Sequence, residues 1–123
     1  MPRNISFAMT TEQVRKRTKT VTRRMGWKNL RQGEVLTAVV KCQGLKKGER
    51  VETLATIRVK DARREFLDRM EADPVYGLQE CAREGFDFSH PMGTPASFID
   101  GFCASHKGCR SDSIVTRIEF EYV

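Results

Sequence analysis

The chain has little of what would make it a membrane, secreted or metal-organised protein. Its 123 residues contain no apolar run near the roughly 20 needed to cross a bilayer. The opening Met1-Pro2-Arg3-Asn4-Ile5-Ser6-Phe7 lacks the long apolar core of a secretory signal, which points to the cytoplasm. Cysteine is scarce, with four residues, and without export these are expected to be reduced thiols. No internal repeat, low-complexity tract or linker interrupts the sequence, so residues 1–123 read as a single domain of ordinary size. A hydrophobic fraction of 39% with 31% charged residues is that of a soluble globular protein.

The most telling absence is of acid. Between Gln13 and Glu34 there is no Asp or Glu, while Arg15, Lys16, Arg17, Lys19, Arg23, Arg24, Lys28 and Arg31 all fall there. The whole chain is only +6, so the rest of it is net negative. Such a concentration predicts one cationic face, the electrostatic footprint of a protein that meets phosphates. Thr18, Thr20, Thr22 and Trp27 are interleaved with the charges. Trp27 beside Arg24 and Lys28 suits either base stacking or a plug in a small core. A solvated basic helix with no partner is the plain reading of the same run.

The pattern of elements is mixed, α+β. Ile5 to Phe7 reads as a strand, and Thr10 followed by Gln13 has capping-box spacing for a short helix over 11–17. Lys19 to Arg24 is β-branched and extended. Strands are expected over Val35 to Lys41 and about Val51 to Arg63, joined by the Gly44–Gly48 turn, with Ala55, Ile57 and Val59 on one face. Asp73-Pro74 and Thr94-Pro95 are two helix starts. The first helix is expected to bury Val75, Leu78 and Ala82 and to stop at Gly85; the second carries Phe98, Ile99, Phe102 and Cys103. Ile114 to Tyr122 alternates as a closing strand.

Metal chemistry has weak support. Cys103-Ala-Ser-His106-Lys-Gly-Cys109 spaces two thiols and an imidazole by three, with Cys81 and His90 upstream as further candidates. Structural zinc prefers four ligands in close pairs, and no such pair of pairs exists. Cys103 also falls in an apolar stripe, where a buried thiol is ordinary. No metal or other cofactor is expected.

Lys19-Thr20-Val21-Thr22-Arg23-Arg24 after a short helix, a Gly33-Glu34 strand entry, a paired long strand and Glu84-Gly85 after a later helix together resemble the ASCH domain family (activating signal co-integrator homology). The likeness runs over nearly the whole chain and is greatest for small stand-alone bacterial and phage members. It implies a PUA-like mixed β-barrel with peripheral helices, and a cleft for RNA or a modified nucleoside or nucleotide. One branch of the family hydrolyses N4-acylcytidine with Lys, Thr and Glu, whose positions are occupied here by Lys19, Thr22 and Glu84. In that case Thr22 is the nucleophile, Lys19 its base or an oxyanion partner, and Glu84 the acid that protonates the leaving amine. Arg15, Arg17, Lys19, Arg23, Arg24, Trp27 and Lys28 are the implied nucleic-acid contacts. The segment from Pro95 to His106 departs from the hydrolase pattern, which leaves the substrate more open than the pocket. A non-catalytic module whose basic face docks an acidic protein is the alternative.

Overall fold

Five strands form one mixed sheet in the order β1-β3-β4-β5-β2. The computed structural model describes residues 2–123. The strands are β1 (Arg3–Ser6), β2 (Val21–Arg24), β3 (Val35–Val39), β4 (Thr53–Phe66) and β5 (Ile114–Tyr122). The helices are α1 (Thr11–Arg15), α2 (Arg69–Ala72), α3 (Pro74–Arg83) and α4 (Pro95–Ala104). β1 runs parallel to β3, and the other pairs are antiparallel. No helix among the described residues is long and apolar enough to cross a membrane.

The sheet curls. A register shift between Val59 and Asp61 marks a bulge in β4 opposite β5, which bends the long strand. The curl brings the two edge strands together through a side chain: Arg24 of β2 donates from Nη2 to the Ser6 carbonyl of β1 at 2.6 Å. Inside the curl sit Ile5, Leu36, Ile57, Val59, Ile118 and Phe120. A second apolar cluster lies under the helices and contains Met70, Cys81, Phe86, Phe98, Phe102 and Val115. β5 separates the two. Its side chains alternate between faces, and both faces are covered, so Val115 to Ile118 are all buried.

Local chemistry accounts for the helix starts. Asp73 accepts from the Tyr76 N–H, and Thr94 with Ser97 forms a reciprocal capping box, each ahead of a proline. The Thr10 cap does not form; Thr11 Oγ donates to the Phe7 carbonyl instead, and α1 ends at Arg15. The short α2 has no counterpart in the sequence reading.

The buried face of α3 is not the expected one. Val75, Leu78 and Ala82 are exposed, while Gly77, Glu80 and Cys81 are buried. Gly77 fixes this rotation, because a Cβ there would lie 2.0 Å from the Met70 carbonyl oxygen. The rotation turns Glu80 inward to meet Arg23 and Arg117. The expectation of four free thiols is also corrected: Cys103 is paired with Cys109, leaving exposed Cys42 and buried Cys81 free.

Candidate functional site

Residues 61–65 positions apart meet at the end of the sheet. Lys19 is buried just before β2, and Glu84 is the C-terminal cap of α3. Lys19 Nζ donates to Glu84 Oε1 and to the Glu84 carbonyl, both at 2.8 Å. The carbonyl is one of those a helix end leaves without an intrahelical partner, so the lysine caps α3 as well as pairing its carboxylate. Gly85 follows with φ +102, and a Cβ there would collide with the Gln13 side chain. This lets the turn press against α1. Thr20 N–H to the Arg83 carbonyl, and Tyr122 OH to the Lys19 carbonyl, anchor the backbone on both sides of Lys19.

β2 then deals its side chains to two faces. Arg23 turns toward α3, where its fully buried guanidinium donates to Glu84 Oε2 at 3.0 Å, Glu65 at 3.0 Å and Glu80 at 2.6 Å. Glu80 also accepts from Arg117 and Arg83. Burial works against the Glu80 charge, but Arg117, Arg23 and Arg83 outweigh it and hold the carboxyl well below its usual range. Burial likewise opposes the Arg23 charge and is outweighed by Glu84, Glu80 and Glu65.

Thr22 and Arg24 share the other face, and Arg24 Nε donates to Thr22 Oγ at 3.1 Å. Thr22 is buried, and its hydroxyl proton remains available to an acceptor. Lys19, Thr22 and Glu84 all line one cavity of about 230 Å³. Phe7, Phe86, Phe98 and Phe102 line the same cavity and give it apolar surface. Burial pushes the Lys19 amine below its ordinary value, against the pull of Glu84. This weakens the hold of the amine on its proton. Lys19 and Thr22 face the same space, but no hydrogen bond joins their side chains in this state.

The basic run does not form one face. Lys19 and Arg23 are buried against carboxylates, and Arg24 lies between two cavities. Arg15, Arg17 and Lys28 are exposed and lie outside the cavity, with Arg15 tied to Glu12 and Glu52. Arg17 has φ 60 and lays its guanidinium 5.1 Å from the Tyr122 ring centre. Trp27 is half-buried against the sheet core with Arg3 over its ring, and it lines a second cavity.

Two other wall residues lie outside the expected site: the sequence offers His106 only as a weak metal-ligand candidate and Ser105 not at all. His106 and Ser105 line the main cavity after α4, inside the loop that Cys103–Cys109 closes. His106 Nδ1 lies 2.7 Å from the Phe102 carbonyl, with the ring stacked on Phe102 at 4.1 Å. With its thiol partner in Cys109, Cys103 is not a free ligand alongside His106. Cys81 is pushed up to about 11 by burial, which makes it a poor nucleophile.

No family model matches the chain, and no curated protein matches it. Among solved structures it is similar to protein EF3133 from Enterococcus faecalis V583, described with the family model DUF984. The identity is 17% and the TM-score 0.49, over 100% of this chain and 80% of that one. The domain itself is a mixed α+β unit, a curled five-stranded sheet with four helices.

Proposed function

We propose that this is an ASCH-type, PUA-like domain whose main cavity takes the base of a modified cytidine and hydrolyses an N4-acyl group. The observation that carries this reading is the meeting of Lys19, Thr22 and Glu84 at one aromatic-walled cavity. A volume of about 230 Å³ suits a single base with a small substituent better than a run of nucleotides. Phe7, Phe86 and Phe98 supply faces for a planar ring.

In the proposed reaction Lys19, once it has given up its own proton, takes the proton of Thr22 Oγ as that oxygen attacks the acyl carbonyl. The C–N4 bond breaks, and the proton held by Lys19 passes to the departing amine, giving cytidine and an acyl ester on Thr22. Water then cleaves the ester, releasing the carboxylic acid and restoring the threonine hydroxyl. Glu84 was expected as the acid. Because it accepts hydrogen bonds from both Lys19 and Arg23, its role here is to hold the lysine in place. The test is incubation with a panel of N4-acylcytidines, followed by mass spectrometry for loss of the acyl group. Release of cytidine without added metal supports the reading; an unchanged panel contradicts it.

A second reading, binding of an RNA strand, rests on exposed Arg17 and Lys28 and on Trp27 at the second cavity. In the basic run Lys16, Arg17, Lys28 and Arg31 are exposed and in no salt bridge among the described residues, so the slope of log affinity against log salt should be about −1 to −3 for a single strand. Arg17→Ala with Lys28→Ala should flatten it. A slope unaffected by that pair would place any strand elsewhere.

A further inference from the structure

Three of the cations lining the main cavity differ in how they are neutralised. Lys19 is paired with Glu84, and Arg23 with Glu65, Glu80 and Glu84. Arg24 has no carboxylate within 4 Å among the described residues. Its hydrogen-bond partners are neutral: Nε donates to Thr22 Oγ and Nη2 to the Ser6 carbonyl, and the guanidinium lies 4.8 Å from the Phe7 ring centre. Nη1 has no protein acceptor among the described residues. Burial lowers the Arg24 pKa to about 10, which still leaves it charged at neutral pH. The Glu84 carboxylate acts on it from beyond contact distance. A cation largely withdrawn from water and hydrogen-bonded only to neutral groups is costly unless an anion completes its shell.

The position of Arg24 says where that anion would sit. Arg24 and Ser6 line the main cavity and also a second one of about 270 Å³. The second cavity adds Asn4, Trp27, Lys41 and Gln43 and is the more polar of the two. A ligand whose planar group filled the main cavity would pass its substituent across Arg24 toward that polar space.

We propose that Arg24 is an anion subsite at the boundary of the two cavities, and that the preferred substrate is a phosphate-bearing nucleotide rather than a free nucleoside. The guanidinium geometry matches phosphate oxygens, and Lys41, itself paired with Glu49 at 3.6 Å, also lines the second cavity. The identity of the base rests on the reading in the preceding subsection. The phosphate contact does not.

The experiment is calorimetric titration of the full chain with cytidine, cytidine 5′-monophosphate and ribose 5-phosphate. Wild type is compared with Arg24→Gln and Arg24→Lys, each first checked by thermal unfolding. The monophosphate should bind wild type about tenfold or more tighter than cytidine, the usual order for a charge-assisted contact. The advantage should vanish in Arg24→Gln and shrink in Arg24→Lys. Inorganic phosphate should compete with the monophosphate and spare cytidine, a test that needs no variant. Ribose 5-phosphate should bind wild type and lose affinity in Arg24→Gln. If it does so while cytidine 5′-monophosphate binds no better than it, the anion subsite stands and the cytosine reading falls. Equal affinity for cytidine and its monophosphate, an advantage that survives Arg24→Gln, or no binding of either phosphate probe overturns the subsite.

Discussion

Lys19 and Glu84 are joined twice, through the carboxylate and through the backbone carbonyl, across 65 positions of sequence. One contact balances charge and the other closes the end of α3. The pairing fixes the lysine amine at the cavity while burial weakens its hold on a proton. A residue of the cavity is thus also part of the scaffold. The same double use extends to Arg23, whose carboxylate partners come from β4, α3 and the α3 cap.

Arg23→Met should destabilise the fold by about 3–5 kcal/mol, because it leaves Glu65, Glu80 and Glu84 buried without their shared cation. Urea unfolding monitored by fluorescence checks this. An exposed cation such as Lys28, changed to Met, should shift stability by under about 0.5 kcal/mol. Similar losses in the two variants would mean that the internal network is not holding the helices to the sheet.

Stability should fall in acid. Glu80 and Glu65 are both held below the ordinary carboxyl value of 4.5, so near and below that pH the unfolded chain binds more protons than the native one. Their contribution is therefore complete above about pH 5 and is lost progressively as pH drops toward their folded values. Urea midpoints measured at pH 7 and pH 3.5 should decrease in that order. An unchanged midpoint would show that the carboxylates are not tied to folding.

Denatured protein kept under non-reducing conditions should show two thiols, Cys42 and Cys81, and four after reduction. Four thiols before reduction would contradict the Cys103–Cys109 pairing. Cys109→Ser should then expose one more thiol, that of Cys103.

Much of the chain order was legible because local rules dominate it. β5 begins and ends at Ile114 and Tyr122 as its alternation implied, and Pro74 and Pro95 open α3 and α4. What could not be read were choices made by tertiary partners. The α3 face turned on one close approach, Gly77 to Met70, and on an inward-facing glutamate that hydropathy assigns to solvent. The basic run looked like a surface because its matching acids, Glu65, Glu80 and Glu84, lie 42–65 positions further on. The extended form of Lys19 to Arg24 was legible from its β-branched residues, but the place of His106 on the cavity wall was not. The grouping of Lys19, Thr22 and Glu84 was legible only through family resemblance, since no local pattern relates positions so far apart.

The most direct test is the pH dependence of N4-acetylcytidine hydrolysis by wild type, Thr22→Ala and Lys19→Arg. Wild type should release cytidine and acetate, with kcat/KM rising with pH along a limb centred below the 10.5 of an ordinary lysine. Thr22→Ala should be inactive because it has lost the attacking oxygen, and Lys19→Arg severely impaired because a guanidinium stays protonated. No hydrolysis by folded wild type, or full activity in Thr22→Ala, would contradict the account.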